Sequence, residues 1–466
     1  MRFTPHPYQR RAIDWVLGHR RCLLFLDMGL GKTVSTLTAV SRLLDYGEAA
    51  RVLVVAPKKV AESTWSSEAA KWDHLSHLRV SVVMGTAAQR RKALGAEAEV
   101  YVTSRDQVVW LVNESKGRLP FDMVVLDELT SFKNPQSQRF KALRKGLSGV
   151  ERVVGLTGTP TPNGLPDLWA QVYCIDSGER LEKFVTRFRE RWFKTVERNN
   201  VTIKIWPKPG AEEEILGLLS DIALTMRAED YLELPPLVEE TFFLSMGEGA
   251  EKRYEGFRRE RVMELERDDR GVITADSAAA LLNKLSQFAN GAVYEEAEPS
   301  GAGGAAPFVE VHAAKLEALE EIVEGAGSPV LVFYQYQHDR ERILKRFAKL
   351  KPRVYGDARD LEDWNAGKIA LLLAHPSATA FGLNMQSGGH TIVWFSTGWN
   401  LELYQQANAR LHRQGQRMPV VVWRLCCRDT VDERMLEAID GKGSYQGSVL
   451  RRLAEGEIRK SEHQNN

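Results

Sequence analysis

The chain has 466 residues, more than one hydrophobic core usually supports, so two compact domains are expected; at 43% hydrophobic and 27% charged residues its composition is that of a globular protein. A net charge of +1 neither advertises nor excludes nucleic acid, since a binding footprint depends on where Lys and Arg cluster. Cys22, Cys174, Cys426 and Cys427 form no C-x-x-C pair and have no histidine at ligand spacing, which argues against a zinc site or a disulfide framework and fits a reducing, intracellular compartment; no run has the length of a membrane span or the apolar core of a signal peptide.

The first element of consequence is the apolar run from Cys22 to Leu26, which breaks into Asp27-Met28-Gly29-Leu30-Gly31-Lys32-Thr33. A strand feeding a phosphate-binding loop and then a helix has this form. Gly29 and Gly31, alternating with Met28 and Leu30, let backbone N–H groups curl around phosphate oxygens. Lys32 places a cation on the β- and γ-phosphates, the Thr33 hydroxyl can ligate Mg²⁺, and the following helix adds its positive end. Leu26 stands where the longer form of the pattern has its first glycine, so the match is to a shorter loop.

Further buried strands follow at Val52–Pro57, Val100–Thr103, Met123–Glu128 and Val153–Thr157, each ending in a polar turn. Asp127-Glu128 closes one of them. By itself such a pair is a common acidic turn; downstream of Lys32 it suits Mg²⁺ coordination by Asp127 and water activation by Glu128. Thr157-Gly158-Thr159 ends the next strand, where its hydroxyls could link the γ-phosphate side of the site to the other half of the protein. From about 176 to 224 the pattern becomes helical and charged, with Phe184, Phe188, Trp192 and Phe193 as aromatic anchors, and a helical insertion is expected. The Pro235-Pro236 pair marks the connection between halves, and a second helical block spans about 248–289 before a flexible Gly/Pro loop at 298–308.

The strand rhythm resumes at Val330–Tyr334, Ile369–Leu373, Thr391–Phe395 and Val420–Leu425, without a second phosphate loop. Arg410 and Arg413 are three apart, on one face if helical. An isolated pair of this kind is a solvated basic helix end; in this series it suits arginine fingers on a transferred phosphoryl group. The expected division is a first lobe over 1–225, a linker over 226–240, a second lobe over 241–454 and a frayed tail over 455–466.

In order, these motifs resemble helicase superfamily two and, within it, the SWI/SNF-like (Snf family) ATPases that translocate on double-stranded DNA, from about Pro7 to Lys442. His6-Pro7-Tyr8-Gln9 looks like the adenine-side motif, implying that Gln9 contacts the base. Ala56-Pro57 with Trp65 and Glu68, Asp127-Glu128 with Lys133-Asn134, and Leu156–Pro160 follow the family order. So do Thr379–Met385, Trp399-Asn400, Gln406–Gln416 and Asp429–Arg434. The resemblance implies an α/β fold of two RecA-like parallel-sheet lobes, each with a helical insertion, closing on one ATP·Mg²⁺. It implies coupling roles for Thr157, Thr159, Gly382, Asn384 and Gln406, and DNA contacts at Lys58, Arg105, Ser377, Thr379 and Trp399. The partner implied is duplex DNA, gripped mainly through phosphates and so without sequence preference, by a monomer and with no membrane involved. Leu129-Thr130 departs from the usual Ala-His and Ala409 from the usual glycine, and no accessory module is recognised, as in a minimal bacterial or viral engine of the cytoplasm. A strand-separating helicase would share every nucleotide-site residue but has no evident wedge hairpin here. A non-hydrolysing switch would have no need of Glu128 and both arginines.

Overall fold

The computed structural model describes residues 1–198, 201–268, 275–295, 306–379 and 383–464. The chain divides into two compact units, Met1–Leu232 with Lys442–Asn466, and Glu233–Gly441.

The first unit is built on a parallel sheet. Its strands are β1 (Arg21–Leu26), β2 (Val52–Ala56), β3 (Val80–Val83), β4 (Val100–Ser104), β5 (Met123–Asp127) and β6 (Arg152–Thr157). A hairpin of β7 (Phe193–Arg198) and β8 (Val201–Pro207) follows, and β9 (Ala223–Met226) returns to the sheet, whose order is β3-β4-β2-β5-β6-β1-β9. The Val- and Leu-rich runs of β2, β4, β5 and β6 are buried along their whole length, as helices on both faces of a parallel sheet require. Burying each such side chain stabilises the fold by roughly 1.5–3 kcal/mol before entropy is counted. Register then aligns the strand ends that matter: Asp127 pairs with Leu156, and Phe25 with Thr157. The turns after β5, β6 and β1 therefore emerge side by side at the carboxyl edge, where open α/β sheets place their ligands.

The segment expected as a helical insertion is mixed. The helices Val185–Trp192 and Ala211–Leu219 flank the β7–β8 hairpin, and β9 extends the main sheet beside β1. Phe188, Trp192 and Phe193 are buried anchors, whereas Phe184 is exposed. The expected second-lobe boundary at 454 also shifts. Val449, Leu450 and Leu453 join the same core as Ile215, Leu216 and Leu219, and Arg452 pairs with Glu212 at 3.3 Å and Glu213 at 2.8 Å. Helix continues to Gln464 through most of the expected frayed tail, so the chain from Lys442 belongs to the first unit.

The second unit has a second parallel sheet, of β10 (Leu237–Leu244), β13 (Val330–Phe333), β14 (Arg353–Val354), β15 (Leu371–Ala374), β16 (Thr391–Trp394) and β17 (Val420–Cys427). Its order is β10-β17-β16-β13-β15-β14. The expected linker thus ends earlier than 240, because Leu237 onward pairs with β17. Helices Glu248–Asp268 and Ala275–Ala289 form the expected helical block, and a small antiparallel pair, β11 (Ala292–Tyr294) and β12 (Phe308–Glu310), brackets the Gly/Pro loop, most of which lies outside the described residues. No described helix is long and apolar enough to cross a membrane.

Candidate active site

The loop after β1 is shaped by two left-handed glycines, Gly29 (φ +86°) and Gly31 (φ +75°), a region that other residues enter at a cost. Gly31 caps the helix Lys32–Asp45, so the N–H groups of its first turn lie next to the loop. Lys32 Nζ donates to the carbonyls of Leu26 at 2.7 Å and Asp27 at 3.3 Å, which holds the cation over the loop. Leu30 is buried beneath, while Met28 and Thr33 are half-buried.

Two expected partners close on this loop. Gln9, on the helix Pro7–Gly18, accepts the His6 N–H at 2.9 Å, and a β-carbon on Gly31 would lie 2.5 Å from Gln9 Nε2. On the other flank a β-carbon on Gly158 would lie 3.2 Å from the Leu26 carbonyl and 3.6 Å from Lys32 Nζ. Both glycines are needed for close approach, and both approaches bring a motif onto the loop after β1. Asp27 is tied as well: its Oδ2 accepts the Ala228 N–H at 2.9 Å, fixing the chain after β9, and burial pushes its carboxyl above the usual range.

Asp127 ends β5 buried. Trp65 Nε1 donates to its Oδ2 at 3.0 Å and the Glu128 N–H to its Oδ1 at 3.1 Å. Burial raises the Asp127 pKa, while the Trp65 hydrogen bond and the Lys32 charge pull it back, which places Lys32 within electrostatic range of the carboxylate. Glu128 has φ +53°, an uncommon conformation for a residue with a side chain and one often found at functional sites. The turn Leu129–Phe132 holds it there, with Ser131 N–H donating to the Glu128 carbonyl at 2.9 Å. The departure at Leu129-Thr130 is a packing solution, for both are buried and a β-carbon on Gly155 would lie 2.6 Å from Leu129 Cδ2. Thr157 Oγ1 accepts the Thr159 N–H at 3.0 Å and so shapes the turn that carries Gly158.

Gln9, Lys32, Asp127, Thr157 and Thr159 are thus gathered within the first unit. A triphosphate fits the donor set of backbone N–H groups, one ammonium and a helix start. Among the described residues no three His, Cys, Asp or Glu side chains gather as a cation cage. Mg²⁺ needs none, since one or two carboxylates, phosphate oxygens and water complete its shell.

Arg410 and Arg413 belong to the second unit and do not share a helical face. The helix Leu401–Asn408 ends before them, and both lie in the turns that follow. They converge instead on one acceptor: Arg410 Nη1 and Arg413 Nη1 reach the Leu383 carbonyl at 3.4 and 3.0 Å, while Arg410 Nε donates to the Gln406 carbonyl at 2.8 Å. Gln406 is buried and donates to Glu402 at 3.3 Å. Asn384 is exposed, its carbonyl accepting from Asn365 at 2.8 Å; Gly382 lies outside the described residues. His412 Nε2 lies 2.8 Å from the Pro235 carbonyl, a structural contact.

Of the expected DNA contacts, Lys58, Ser377 and Trp399 are exposed. Arg105 is half-buried, donating at 2.6 Å to Ser131 Oγ in the turn after Glu128. Thr379 is fully buried, with its hydroxyl donated to the Pro376 carbonyl at 3.2 Å, so it presents no side chain to a phosphate. Sequence reasoning assigned Trp65 to a motif but missed its hydrogen bond to Asp127, a tertiary contact with no local signal.

The sequence profile of the SNF2-related domain matches residues 8–291. Protein p41 of Acyrthosiphon pisum secondary endosymbiont phage 1 is 38% identical over 462 residues, covering 96% of this chain and 98% of that protein. The chain belongs to the SNF2-related family. Its members are ATP-hydrolysing, DNA-dependent enzymes of helicase superfamily two, and they use ATP, normally with Mg²⁺. The chromatin structure-remodeling complex subunit snf21 of Schizosaccharomyces pombe is 26% identical over 481 residues, which cover 95% of this chain but 39% of that protein. The chain therefore spans about two fifths of that relative and nearly all of the phage protein. A solved Sulfolobus solfataricus SWI2/SNF2 ATPase core in complex with dsDNA aligns with TM-score 0.46 and 19% identity, covering 97% of each chain.

Proposed function

We propose that this SNF2-related enzyme is a motor that uses ATP hydrolysis to translocate along duplex DNA without separating its strands, remodelling DNA or displacing what is bound to it. The observation that supports the reading most is the convergence of Gln9 and Gly158 on the loop that presents Lys32, with Asp127 and Glu128 at the end of β5. ATP with Mg²⁺, when bound, supplies an electrophilic γ-phosphorus and a charge-neutralising cation.

In this scheme Lys32 and the loop N–H groups bind and orient the phosphates, Gln9 contacts the base, and Thr33 and Asp127 hold the cation. Glu128 accepts the proton of the attacking water. Arg410 and Arg413 act on the transferred phosphoryl group, and Thr157, Thr159, Asn384 and Gln406 relay the state of the site. Lys58, Ser377 and Trp399 contact DNA, largely at phosphates, which makes binding sequence-independent and sensitive to salt. One chain carries both the phosphate loop and the arginines, so a monomer suffices. The likeness to a phage protein supports work inside a bacterial or phage-infected cell.

The test compares ATPase rates with no nucleic acid, single-stranded DNA, duplex DNA and RNA, together with displacement of a triplex-forming strand and unwinding of a fork. Duplex-stimulated turnover with triplex displacement and an intact fork is expected. Efficient fork unwinding, with single strands the better activator, would reassign the protein as a strand-separating helicase.

A further inference from the structure

The second unit buries a charged network that nucleotide chemistry does not use. Lys315, in the first turn of the helix Ala314–Gly325, has a wholly buried side chain. Its Nζ lies 2.7 Å from Asp432 Oδ2, at the start of the helix Val431–Gln464, and 2.7 Å from Asn290 Oδ1. Asn290 follows the helix Ala275–Ala289 and donates through Nδ2 to Asp339 Oδ2 at 2.9 Å. That same oxygen accepts the N–H groups of Tyr336 at 3.0 Å and Gln335 at 3.3 Å, in the turn that leaves β13. Arg342, also buried, donates to the Asn290 carbonyl at 2.7 Å and the His312 carbonyl at 2.6 Å. Beside Asn290 only glycine fits, since Gly291 has φ +96° and a β-carbon there would lie 2.3 Å from the His312 carbonyl.

The side chain of Asn290 is the middle of a relay, accepting from a cation at one end and donating to a carboxylate at the other. Neither Asp nor Leu could do both. Burial alone would lower the Lys315 pKa and is the largest single influence on it, but Asp432 beside it and smaller pulls from Cys427 and Asp339 together raise it, so the ammonium stays charged. In general, replacing a buried ion pair by well-packed apolar residues is often neutral or stabilising, because desolvating two ions offsets their attraction. What the polar relay adds is a single geometry for the turn after β13. That turn matters because Gln335 and Tyr336 line a cavity of about 300 Å³ together with Asn283, Ser396 and Trp399, at the carboxyl ends of β13 and β16.

We propose that Lys315 is a positioning residue for DNA engagement: through Asn290 and Asp339 it fixes the Tyr336 turn, and with it the aromatic rim shared with Trp399, in the geometry that grips a duplex. This rests on the duplex-tracking reading above. Lys315 itself touches neither nucleotide nor DNA.

Two variants test it in the full chain. Asn290→Asp keeps the shape but faces Asp339 with a second carboxylate, and Lys315→Met combined with Asp432→Leu removes both charges at similar volume. ATPase is titrated with duplex DNA, alongside basal rate and thermal unfolding. The expected result is a folded protein, basal rate within about twofold, and a half-saturating duplex concentration raised roughly tenfold or more with the saturated rate largely kept. Wild-type half-saturation in the charge-free double variant overturns the positioning role, as does failure of that variant to fold, which would make the network a stability element; if Asn290→Asp does not fold, the double variant decides alone. Absence of duplex stimulation in the unmutated chain instead overturns the duplex-tracking reading, and this inference falls with it.

Discussion

Replacing Trp65 by Phe separates a core residue from a tuner of Asp127, the carboxylate proposed to hold the cation. Trp65 is fully buried, and its indole N–H donates to Asp127 Oδ2 while the Glu128 N–H donates to Oδ1. Phe keeps most of the ring packing and removes one donor. Hydrogen bonds to charged groups are worth about 1.5–3 kcal/mol, and because Asp127 is already penalised by burial, its ionised form becomes costlier still. Loss of a hydrogen bond that orients a metal carboxylate typically costs about 10- to 100-fold in metal affinity, consistent with that energy. The assay is ATPase rate against free Mg²⁺ at saturating ATP, with urea unfolding in parallel. The half-saturating Mg²⁺ concentration should rise about 10- to 100-fold and excess Mg²⁺ should restore most of the rate, while stability falls by about 1–3 kcal/mol from the smaller ring. A Mg²⁺ dependence identical to that of the unmutated protein, with only stability reduced, would refute the reasoning and leave Trp65 as packing.

The parts of the site that were legible in the sequence are those whose signal is local. β1, β5 and β6 are continuous apolar runs because both faces are buried, and the glycines of the loop are dictated by backbone conformation, so Gly29, Gly31, Lys32 and Asp127 could be placed by reading along the chain. β9 was not legible, since Ala223–Met226 is four residues inside a charged stretch and its place beside β1 is purely tertiary. Arg410 and Arg413 have helical spacing, yet the chain leaves the helix at Asn408, and a nonlocal bond from the Met385 N–H to the Arg410 carbonyl at 3.2 Å holds the turn instead. The family resemblance implies a DNA contact at Thr379, but a threonine that bonds a carbonyl three residues back is satisfied without solvent. Lys315 opens an ordinary amphipathic helix. Only its partners, Asn290 and Asp432, distant in sequence on either side, reveal that it is buried.

Glu128→Gln should retain ATP binding and lose about 10²- to 10⁴-fold in turnover, measured by nucleotide titration and steady-state hydrolysis; near-normal rates would remove Glu128 as the base. Gly31→Ala places a methyl group against Gln9 in a left-handed conformation, so ATP affinity should fall by about tenfold or more in a binding titration, with an unchanged affinity counting against the loop geometry. Arg413→Ala should leave ATP affinity intact and cut duplex-stimulated hydrolysis on the order of 10³-fold if the residue is a finger, whereas normal turnover would make it a loop anchor for Leu383. The pH dependence of the second unit follows from His312. Its Nε2 lies 2.9 Å from the Phe288 carbonyl and its Nδ1 accepts the Ala314 N–H at 3.3 Å, a pattern only the neutral ring satisfies. Burial pushes its pKa down to about 4 from the ordinary 6.5, against a smaller opposing pull from the Phe288 carbonyl. The unfolded chain therefore binds a proton that the native state refuses: this contribution is fully present above pH 6.5 and is lost progressively as the pH falls toward 4. It amounts to on the order of 2 kcal/mol after allowing for partial exposure. Amide exchange at the start of the helix Ala314–Gly325 should accelerate across that window, and His312→Gln should flatten the response; an equal slope in the variant would mean that other groups carry the acid sensitivity.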